Sequence, residues 1–269
     1  GIEVAYADLF TYKTPLALEQ FILGKKEEKN QASAQENETK KVDSVQTENI
    51  LDTVLGRNAV EHVDEIKADK MGDVLLTGAT GFLGAHVLKT MIEACDNRIY
   101  CLLRKGNAPS LEKRLKSMLV YYFSSTFEEL FGNRIFGIEG DSPDASFVEA
   151  LREYDFAKVI NCAACVKHFA ADDILERVNY QGVLHLIRLC TETGRELIQI
   201  STVSVAGENV GNQFPPEKKL YEKELFFGQR ISNKYIDTKF LAEKAVLEVA
   251  AKCMMGRVIR VGNLMSRVS

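Results

Sequence analysis

From Asp73 onward, short apolar runs of strand type alternate with stretches of helical periodicity, and this alternation limits the possible folds more than any other feature. The predicted strands are Asp73–Thr77, Arg98–Leu103, Arg134–Ile138, Lys158–Asn161, Glu196–Ser201 and Arg257–Val261. The predicted helices are Phe82–Ala94, Leu111–Tyr122, Asp172–Cys190 and Tyr235–Ala251. Apolar strands that helices separate form a parallel sheet covered on both faces. We therefore predict an α/β fold, a Rossmann-type doubly wound parallel sheet.

The residues before this region divide into three segments of different composition. Residues 1–23 carry apolar side chains at roughly helical intervals, and residues 48–72 have a modest amphipathic pattern that predicts a helical lead-in. Residues 24–47 are rich in Lys, Glu, Gln, Asn and Ser and almost free of large apolar side chains, which predicts a flexible linker. Residues 73–269 are then the main domain. Because the chain opens with Gly1 and not with Met, we interpret it as a piece of a longer polypeptide.

Composition and charge narrow the class of protein. Hydrophobic residues make up 46% of the chain, which is enough for a substantial core, and the net charge of −4 gives no support to a nucleic-acid partner. No apolar run approaches the roughly 18 residues that a membrane-spanning helix needs, so we expect no membrane partner. The six cysteines lack the regular spacing of a secreted disulfide framework, which predicts a reduced, cytoplasmic setting.

A glycine-spaced turn follows the first predicted strand directly, as Gly78-Ala79-Thr80-Gly81-Phe82-Leu83-Gly84. In such turns the first glycine allows a sharp bend, the second lets the backbone approach a pyrophosphate, and the third allows close packing of helix on strand. The following helix then directs its free N–H groups at the phosphates. We predict that Gly78, Thr80, Gly81, Phe82, Leu83 and Gly84 bind a dinucleotide; a purely structural glycine turn is the alternative.

The residue after the second strand indicates which nicotinamide cofactor binds. An NAD site usually has an acidic residue about 20 positions beyond the glycines, but this sequence has Arg104 there. A guanidinium pairs with the 2′-phosphate of NADPH and offers no acceptor to a free hydroxyl, and Arg114 could add a second contact. A solvated strand end is the alternative for Arg104. Asp141, after the third strand, is predicted either to contact the adenine or to form a turn.

Tyr235 and Lys239 are spaced to lie on one face of a helix, where we expect the ammonium to lower the pKa of the phenol. Thr202 ends the fifth strand, on the edge of a parallel sheet where ligands bind. Its hydroxyl and that of Tyr235 could together stabilise the oxyanion that forms when hydride reaches a carbonyl. Ser201 and Ser204 are alternatives to Thr202, and a surface Tyr–Lys pair is the alternative to the catalytic one.

The stretches ISTVSVAG, YIDTK and RVIRVGNLMSR, together with the glycine turn, resemble the extended short-chain dehydrogenase/reductases. This resemblance implies that Thr202, Tyr235 and Lys239 are catalytic and that Tyr235 and Lys239 also contact the cofactor. It further implies that Ala163 and Ala164 flank the cofactor, that Gly262 and Asn263 form the loop beside the nicotinamide, and that Asn179 is structural.

Within that superfamily, LTGATGFLGAHVL, CLLRKGN, Arg114-Leu115 and RVGNLMSR resemble the thioester reductase domains of nonribosomal peptide and polyketide synthetases. Residues 1–23 resemble, more weakly, the end of a carrier domain. The resemblance implies NADPH-dependent release of an acyl or peptidyl thioester, held on a carrier's phosphopantetheine arm, as an aldehyde or further as an alcohol. Such domains have a further C-terminal substrate subdomain, which we expect to be missing here, so we expect NADPH binding with impaired turnover.

Two other functions remain open at this point. One is an extended short-chain dehydrogenase/reductase that acts on sugar nucleotides, as an epimerase or dehydratase, and the other is a non-catalytic dinucleotide-binding module. Cys162 and Cys165 form a CxxC pair without a second pair or nearby histidines, so we interpret them as packing residues and predict no metal site.

Overall fold

A computed structural model describes residues 71–104, 106–166, 172–207, 225–226 and 229–264 of the chain. The predicted carrier-like segment, the linker and the helical lead-in lie outside the described residues, apart from Met71 and Gly72.

Six parallel strands form one sheet in the order β3-β2-β1-β4-β5-β6. Their bounds are β1 Val74–Thr77, β2 Ile99–Leu103, β3 Ile135–Glu139, β4 Lys158–Asn161, β5 Glu196–Thr202 and β6 Gly256–Val261. This arrangement confirms the predicted doubly wound parallel sheet, and each strand lies within one or two residues of its predicted position. The strand order reverses between β1 and β4, and a crevice at the carboxyl ends of the strands is the expected ligand site at such a point.

Helices cover the sheet and connect its strands. They are α1 Phe82–Ala94, α2 Leu111–Phe123, α3 Ser146–Leu151, α4 Asp172–Glu176, α5 Gly182–Thr193 and α6 Lys234–Ala250. Short 3₁₀ helices lie at Glu128–Leu130 and Val203–Ala206. Helix α3 was not predicted, and a π-helical turn, Arg177–Gln181, divides the single helix predicted from Asp172 to Cys190. Across the described ranges, no helix combines the length and hydropathy needed to span a membrane.

The core lies on both faces of the sheet. Successive side chains of a strand point to opposite faces, so Leu75 packs with Val159 and Leu197 in one cluster, while Val74 and Leu76 belong to the other. All four residues of β1 are buried because helices cover the strand on both sides. The sheet therefore provides a rigid support for the loops that follow β1, β2 and β4.

Helix α6 begins at a well-defined point. The side-chain oxygen of Asn233, its N-cap residue, accepts a hydrogen bond from the backbone N–H of Ile236 at 3.2 Å. This cap fixes where the helix begins, and the first turn that it stabilises contains Tyr235.

Candidate active site

The turn after β1 has space only for glycine at two positions. Gly78 has φ +70°, and a Cβ built there would lie 2.6 Å from the backbone nitrogen of Ala163. A Cβ on Gly84 would collide with the carbonyl oxygen of Gly78. The turn is closed by a hydrogen bond from the N–H of Gly81 to that same carbonyl oxygen at 2.9 Å. A side chain at either position would therefore collide with neighbouring backbone and distort the turn, whose open side we call the cradle.

Helix α1 presents its N-terminus to this cradle. Gly81 is the N-cap residue, and no side chain caps the helix, so the first backbone N–H groups are available to an external acceptor. Their partial positive charge suits a phosphate. The ring centroid of Phe82 lies 4.5 Å from that of His86 and 5.8 Å from that of Tyr122. The part of Phe82 that can bind a phosphate is therefore its backbone N–H. Leu83 is half-buried on the same turn.

A cavity of about 710 Å³ opens at the carboxyl ends of the strands, within the size range of small-molecule sites. The predicted cofactor residues that it brings together are Gly78, Thr80, Gly81, Arg104, Arg114, Asp141, Ala163 and Ala164. Lining residues that were not predicted include Ser142, Cys162, Cys165, Val166, Ile174 and Val178. A signal for Ser142 was present in the sequence, because it follows Asp141 directly after β3. Ile174 and Val178 carry no such signal, since their pattern is that of an ordinary helix, and Cys162, Cys165 and Val166 lie in the loop after β4.

Two guanidinium groups lie where the chain leaves β2. Arg104 is exposed and follows the strand directly, and the Nη1 of Arg114 donates to the carbonyl oxygen of Arg104 at 2.6 Å. Neither side chain forms an ion pair with another residue that the structure describes. Asp141 lines the same cavity, and its carbonyl oxygen accepts a hydrogen bond from Asp144 at 2.9 Å, so it also takes part in a turn.

Lys239 of α6 contacts β5, the strand that ends at Thr202. Lys239 is buried, with 4% of its surface exposed, and its Nζ donates to the carbonyl oxygen of Ile200 at 2.5 Å. Thr202 ends β5, half-buried, and its Oγ1 accepts from the N–H of Ser204 at 3.1 Å. The hydroxyl of Ser201 instead donates to Glu243 at 2.7 Å. Because that contact occupies its hydroxyl proton, Ser201 is the weaker candidate for a substrate donor.

Burial shifts the acid–base properties of both helix residues. It lowers the pKa of Lys239 to about 8, against the opposing effects of the Glu243 carboxylate and the Cys162 thiol. Burial also raises the pKa of Tyr235 above its ordinary value, which corrects the expectation that the lysine would lower it. The reason is that the phenol loses hydration, while the lysine ammonium is directed at a backbone carbonyl. Burial likewise raises the pKa of Cys162 to about 12, so this thiol stays protonated.

A row of buried polar side chains crosses the sheet beneath the cavity, and the sequence reasoning missed it. Thr77 donates to the side-chain oxygen of Asn161, whose amide donates to Gln199 at 2.8 Å. Gln199 in turn donates to the carbonyl oxygen of Ile200 at 2.8 Å, the acceptor that Lys239 also uses. Thr77 is the single polar residue of β1 and was an available signal, whereas Asn161 and Gln199 are not distinguished from the other polar residues of β4 and β5. The row connects the strand of the glycine turn to the buried lysine.

Asn179, which was predicted to be structural, holds the loop after β4. Its side chain accepts from the N–H of Cys165 at 2.7 Å and donates to the carbonyl oxygen of the same residue at 3.0 Å. It also donates to the hydroxyl of Thr238 on α6 at 3.3 Å. The π-helical turn that contains Asn179 thus fixes this part of the cavity wall to the helix that carries Tyr235 and Lys239.

Eight predicted residues do not line the cavity: Phe82, Leu83, Gly84, Thr202, Tyr235, Lys239, Gly262 and Asn263. Gly262 and Asn263 are exposed beyond the end of β6. Lys239 nevertheless lies close enough to Cys162, which does line the cavity, for the two groups to affect each other's pKa. Within the described part of the chain, no group of three or more His, Cys, Asp or Glu residues could hold a metal ion.

A doubly wound parallel sheet with an open glycine turn after β1, and a cavity above that turn, defines an NAD(P)-binding oxidoreductase domain. The chain belongs to the NAD-binding family described as Male sterility protein, whose model matches residues 76–269.

Solved structures and a curated relative agree with the resemblance that the sequence indicated. A thiolation-reductase di-domain from an archaeal non-ribosomal peptide synthetase is 40% identical, with a TM-score of 0.73 over 81% of this chain and 59% of that chain. The Aureusimine biosynthetic cluster reductase domain is 28% identical, with a TM-score of 0.67 over 86% of this chain and 58% of that chain. Glycine betaine reductase ATRR from Emericella nidulans is 29% identical over 71% of this chain. The chain spans only 16% of the length of that relative.

Proposed function

We propose that residues 73–269 form an NADPH-dependent reductase domain that releases a carrier-bound acyl or peptidyl thioester as an aldehyde. The observation that carries this proposal is the cavity that joins the glycine turn to Arg104 and Arg114. The substrate class is supported by the two similar structures, a thiolation-reductase di-domain and a biosynthetic cluster reductase domain.

The choice of NADPH over NADH rests on charge. Both guanidinium groups lie at the end of β2, where an enzyme that uses NADH usually presents a carboxylate to the ribose 2′-hydroxyl. A guanidinium binds a phosphate through paired hydrogen bonds and has no acceptor for that hydroxyl. Asp141 is proposed to lie beside the adenine, and Ala163, Ala164, Gly262 and Asn263 beside the rest of the cofactor.

The residues proposed to carry the chemistry are Thr202, Tyr235 and Lys239. When bound, NADPH supplies hydride to the thioester carbonyl. Thr202 and Tyr235 donate hydrogen bonds to the carbonyl oxygen as it gains negative charge, since preformed donors at that position lower the barrier. Lys239 supplies a positive charge beside Tyr235 and contacts the nicotinamide ribose. Collapse of the tetrahedral adduct then breaks the C–S bond, which yields the aldehyde and a carrier thiolate that takes up a proton to become the free thiol.

The partner in this proposal is a carrier domain with a phosphopantetheine arm. Residues 1–23 are proposed as the end of such a domain, residues 24–47 as its flexible connection, and residues 48–72 as a helical lead-in. We place the protein in the cytoplasm, an assignment supported by its six cysteines, all of which are free thiols.

The proposal is tested by supplying an acyl pantetheine thioester with NADPH and following both NADPH oxidation and the trapped aldehyde. We expect aldehyde to form in step with NADPH consumption and much more slowly with NADH. UDP-sugars serve as the competing ligands. Binding of UDP-sugars with no thioester reduction would overturn the assignment in favour of a sugar-nucleotide enzyme. Nucleotide binding without any turnover, both in this chain and in a longer one that includes a C-terminal substrate subdomain, would favour a non-catalytic module.

A further inference from the structure

Helix α6 carries a third polar residue in line with Tyr235 and Lys239. Glu243 lies four residues beyond Lys239, on the same face of the helix, and only 1% of its surface is exposed. A carboxylate this deep in the protein is unfavourable unless charge and hydrogen bonds compensate it. Its two oxygens therefore have to be occupied by specific partners.

Those partners come from two neighbouring strands. Ser201 of β5 donates to Oε2 of Glu243 at 2.7 Å, and Arg260 of β6 donates through Nε at 2.8 Å and Nη2 at 2.5 Å to Oε1. Ser201 directly precedes Thr202, and Arg260 lies two residues before Gly262. One buried carboxylate thus connects the three elements that carry the residues proposed for catalysis and for the nicotinamide side.

Stability alone gives little reason for this arrangement. Apolar residues of similar volume hold helix and sheet together at least as well as a buried ion pair, because desolvation of the two charges offsets much of their attraction. The three hydrogen bonds to Glu243 do define a geometry, since each one fixes a distance and an angle between helix and strand. The contacts of Glu243 therefore fix where α6 lies relative to the end of β5.

We propose that Glu243 is a positioning residue for the reductase: through Ser201 and Arg260 it holds Tyr235 and Lys239 in register with Thr202. The proposal rests on the function proposed above. It assigns to Glu243 no contact with substrate or cofactor.

The charges around Lys239 set the direction of the expected effect. On α6 itself Tyr235 and Glu243 share its face, Cys162 approaches from the loop after β4, and Arg260 of β6 is paired with Glu243. Burial lowers the pKa of Lys239 to about 8, and the Glu243 carboxylate works against this shift. Removing the negative charge must therefore lower the pKa of Lys239 further, so that the lysine loses its proton at a lower pH.

The test uses Glu243→Gln, which keeps the shape and removes the charge. Lys239 is titrated by NMR in protein with ¹³Cε-labelled lysine, its signal being assigned by Lys239→Met. We expect the titration midpoint to fall by at least about half a pH unit, and the basic limb of the pH–rate profile to shift with it. We expect kcat to fall about tenfold or more, while the Kd of NADPH changes by less than about threefold.

Glu248→Gln is the matched control, because Glu248 pairs with Lys244 on the exposed side of the same helix. It should leave the titration and kcat unchanged. An unaltered Lys239 titration and unaltered kcat in Glu243→Gln would overturn the proposal. This result is distinct from failure of the proposed function, in which the wild-type protein would itself reduce no thioester.

Ser201→Ala keeps the test decisive if Glu243→Gln does not fold. It removes the one neutral hydrogen bond and leaves the Glu243–Arg260 pair in place. We expect kcat to fall severalfold with the Lys239 titration unchanged. Full kcat in Ser201→Ala, together with an unfolded Glu243→Gln, would mean that the carboxylate only supports the fold, and the proposal would fail.

Discussion

The ammonium of Lys239 donates a hydrogen bond to the backbone carbonyl oxygen of Ile200 at 2.5 Å. Ile200 lies two residues before Thr202 in β5, so this bond joins the helix of the proposed catalytic pair directly to the strand of the proposed third member. The carbonyl compensates only part of the hydration that the ammonium loses, which is why burial still lowers the pKa of Lys239 to about 8.

Replacing Lys239 with Met should stabilise the fold at neutral pH. The pKa of this lysine is lower in the folded chain, about 8, than its ordinary value of 10.5, so the folded state binds fewer protons between these values and its stability rises with pH there. Below pH 8 Lys239 is charged in the folded state, so the whole free-energy cost of burying its charge lowers the stability of the fold. We expect Lys239→Met to gain about 2 kcal/mol of unfolding free energy at pH 7 in urea titrations.

The same comparison has a pH signature. The gain in Lys239→Met should shrink as the pH rises from about 8 towards 10.5, because wild-type Lys239 then becomes neutral when folded. Taking the difference between the two proteins cancels the contributions of Cys101 and Cys190, whose pKa values burial raises to about 12 and which Lys239 does not influence. A constant difference across this range would contradict the assigned shift.

Replacing Tyr235 with Phe should abolish turnover without unfolding the protein. The substitution removes one hydroxyl from a half-buried ring and leaves the packing of α6 intact. If that hydroxyl donates to the developing oxyanion, kcat for thioester reduction should fall by about 10² to 10⁴, with the Kd of NADPH little changed. Tyr121→Phe is the control, since 80% of that residue is exposed. Equal losses in the two variants would remove Tyr235 from the proposed catalytic set.

Replacing Arg104 and Arg114 with Ala should weaken NADPH binding selectively. Both guanidinium groups line the cavity and have no ion pair within the described residues, so their charge is available to a phosphate. We expect the Kd of NADPH to rise about 10- to 100-fold in calorimetric titrations, and the Kd of NADH to stay nearly constant. Lys113→Ala removes an exposed charge beside Arg114 and should affect neither cofactor. Parallel loss of both cofactors would argue against a 2′-phosphate contact.

Replacing Gly78 with Ala should cost far more than the same change at Gly194. Both residues have positive φ, +70° and +67°, so the cost of a left-handed backbone is shared. They differ in crowding, because a Cβ at Gly78 would lie 2.6 Å from backbone atoms, whereas one at Gly194 would have open space. We expect Gly194→Ala to lose about 1 kcal/mol with normal NADPH binding, and Gly78→Ala to lose binding as well. Normal affinity in Gly78→Ala would be incompatible with the cradle.

The sheet and its glycine turn could be predicted because their signals are local. An apolar run fixes a strand, and the spacing of Gly78, Gly81 and Gly84 fixes the turn that follows it. The helix Phe82–Ala94 was predicted with its observed bounds for the same reason. Arg104 lies in the cavity lining, and its distance from Gly84 along the chain corresponds to helix α1 and strand β2.

The properties that were missed depend on partners far apart in the sequence. Helix α3, Ser146–Leu151, is too short to show a periodic pattern. Gln199 and Glu243 look like ordinary polar residues until the fold buries them beside Asn161 and Ser201. The direction of the Tyr235 shift was wrong because the helical spacing gives the distance to Lys239 but not the loss of water around the phenol.

The backbone N–H of Ala163 is shared between the Thr77 hydroxyl at 3.2 Å and the Asn161 side-chain oxygen at 3.3 Å. The N–H of Ala163 is therefore already used within the protein, and a nucleotide that enters the cavity makes only apolar contact with this residue. The property of residue 163 that affects the ligand is therefore the size of its side chain. A Val or Leu there would narrow the passage while every hydrogen bond beneath it stayed in place.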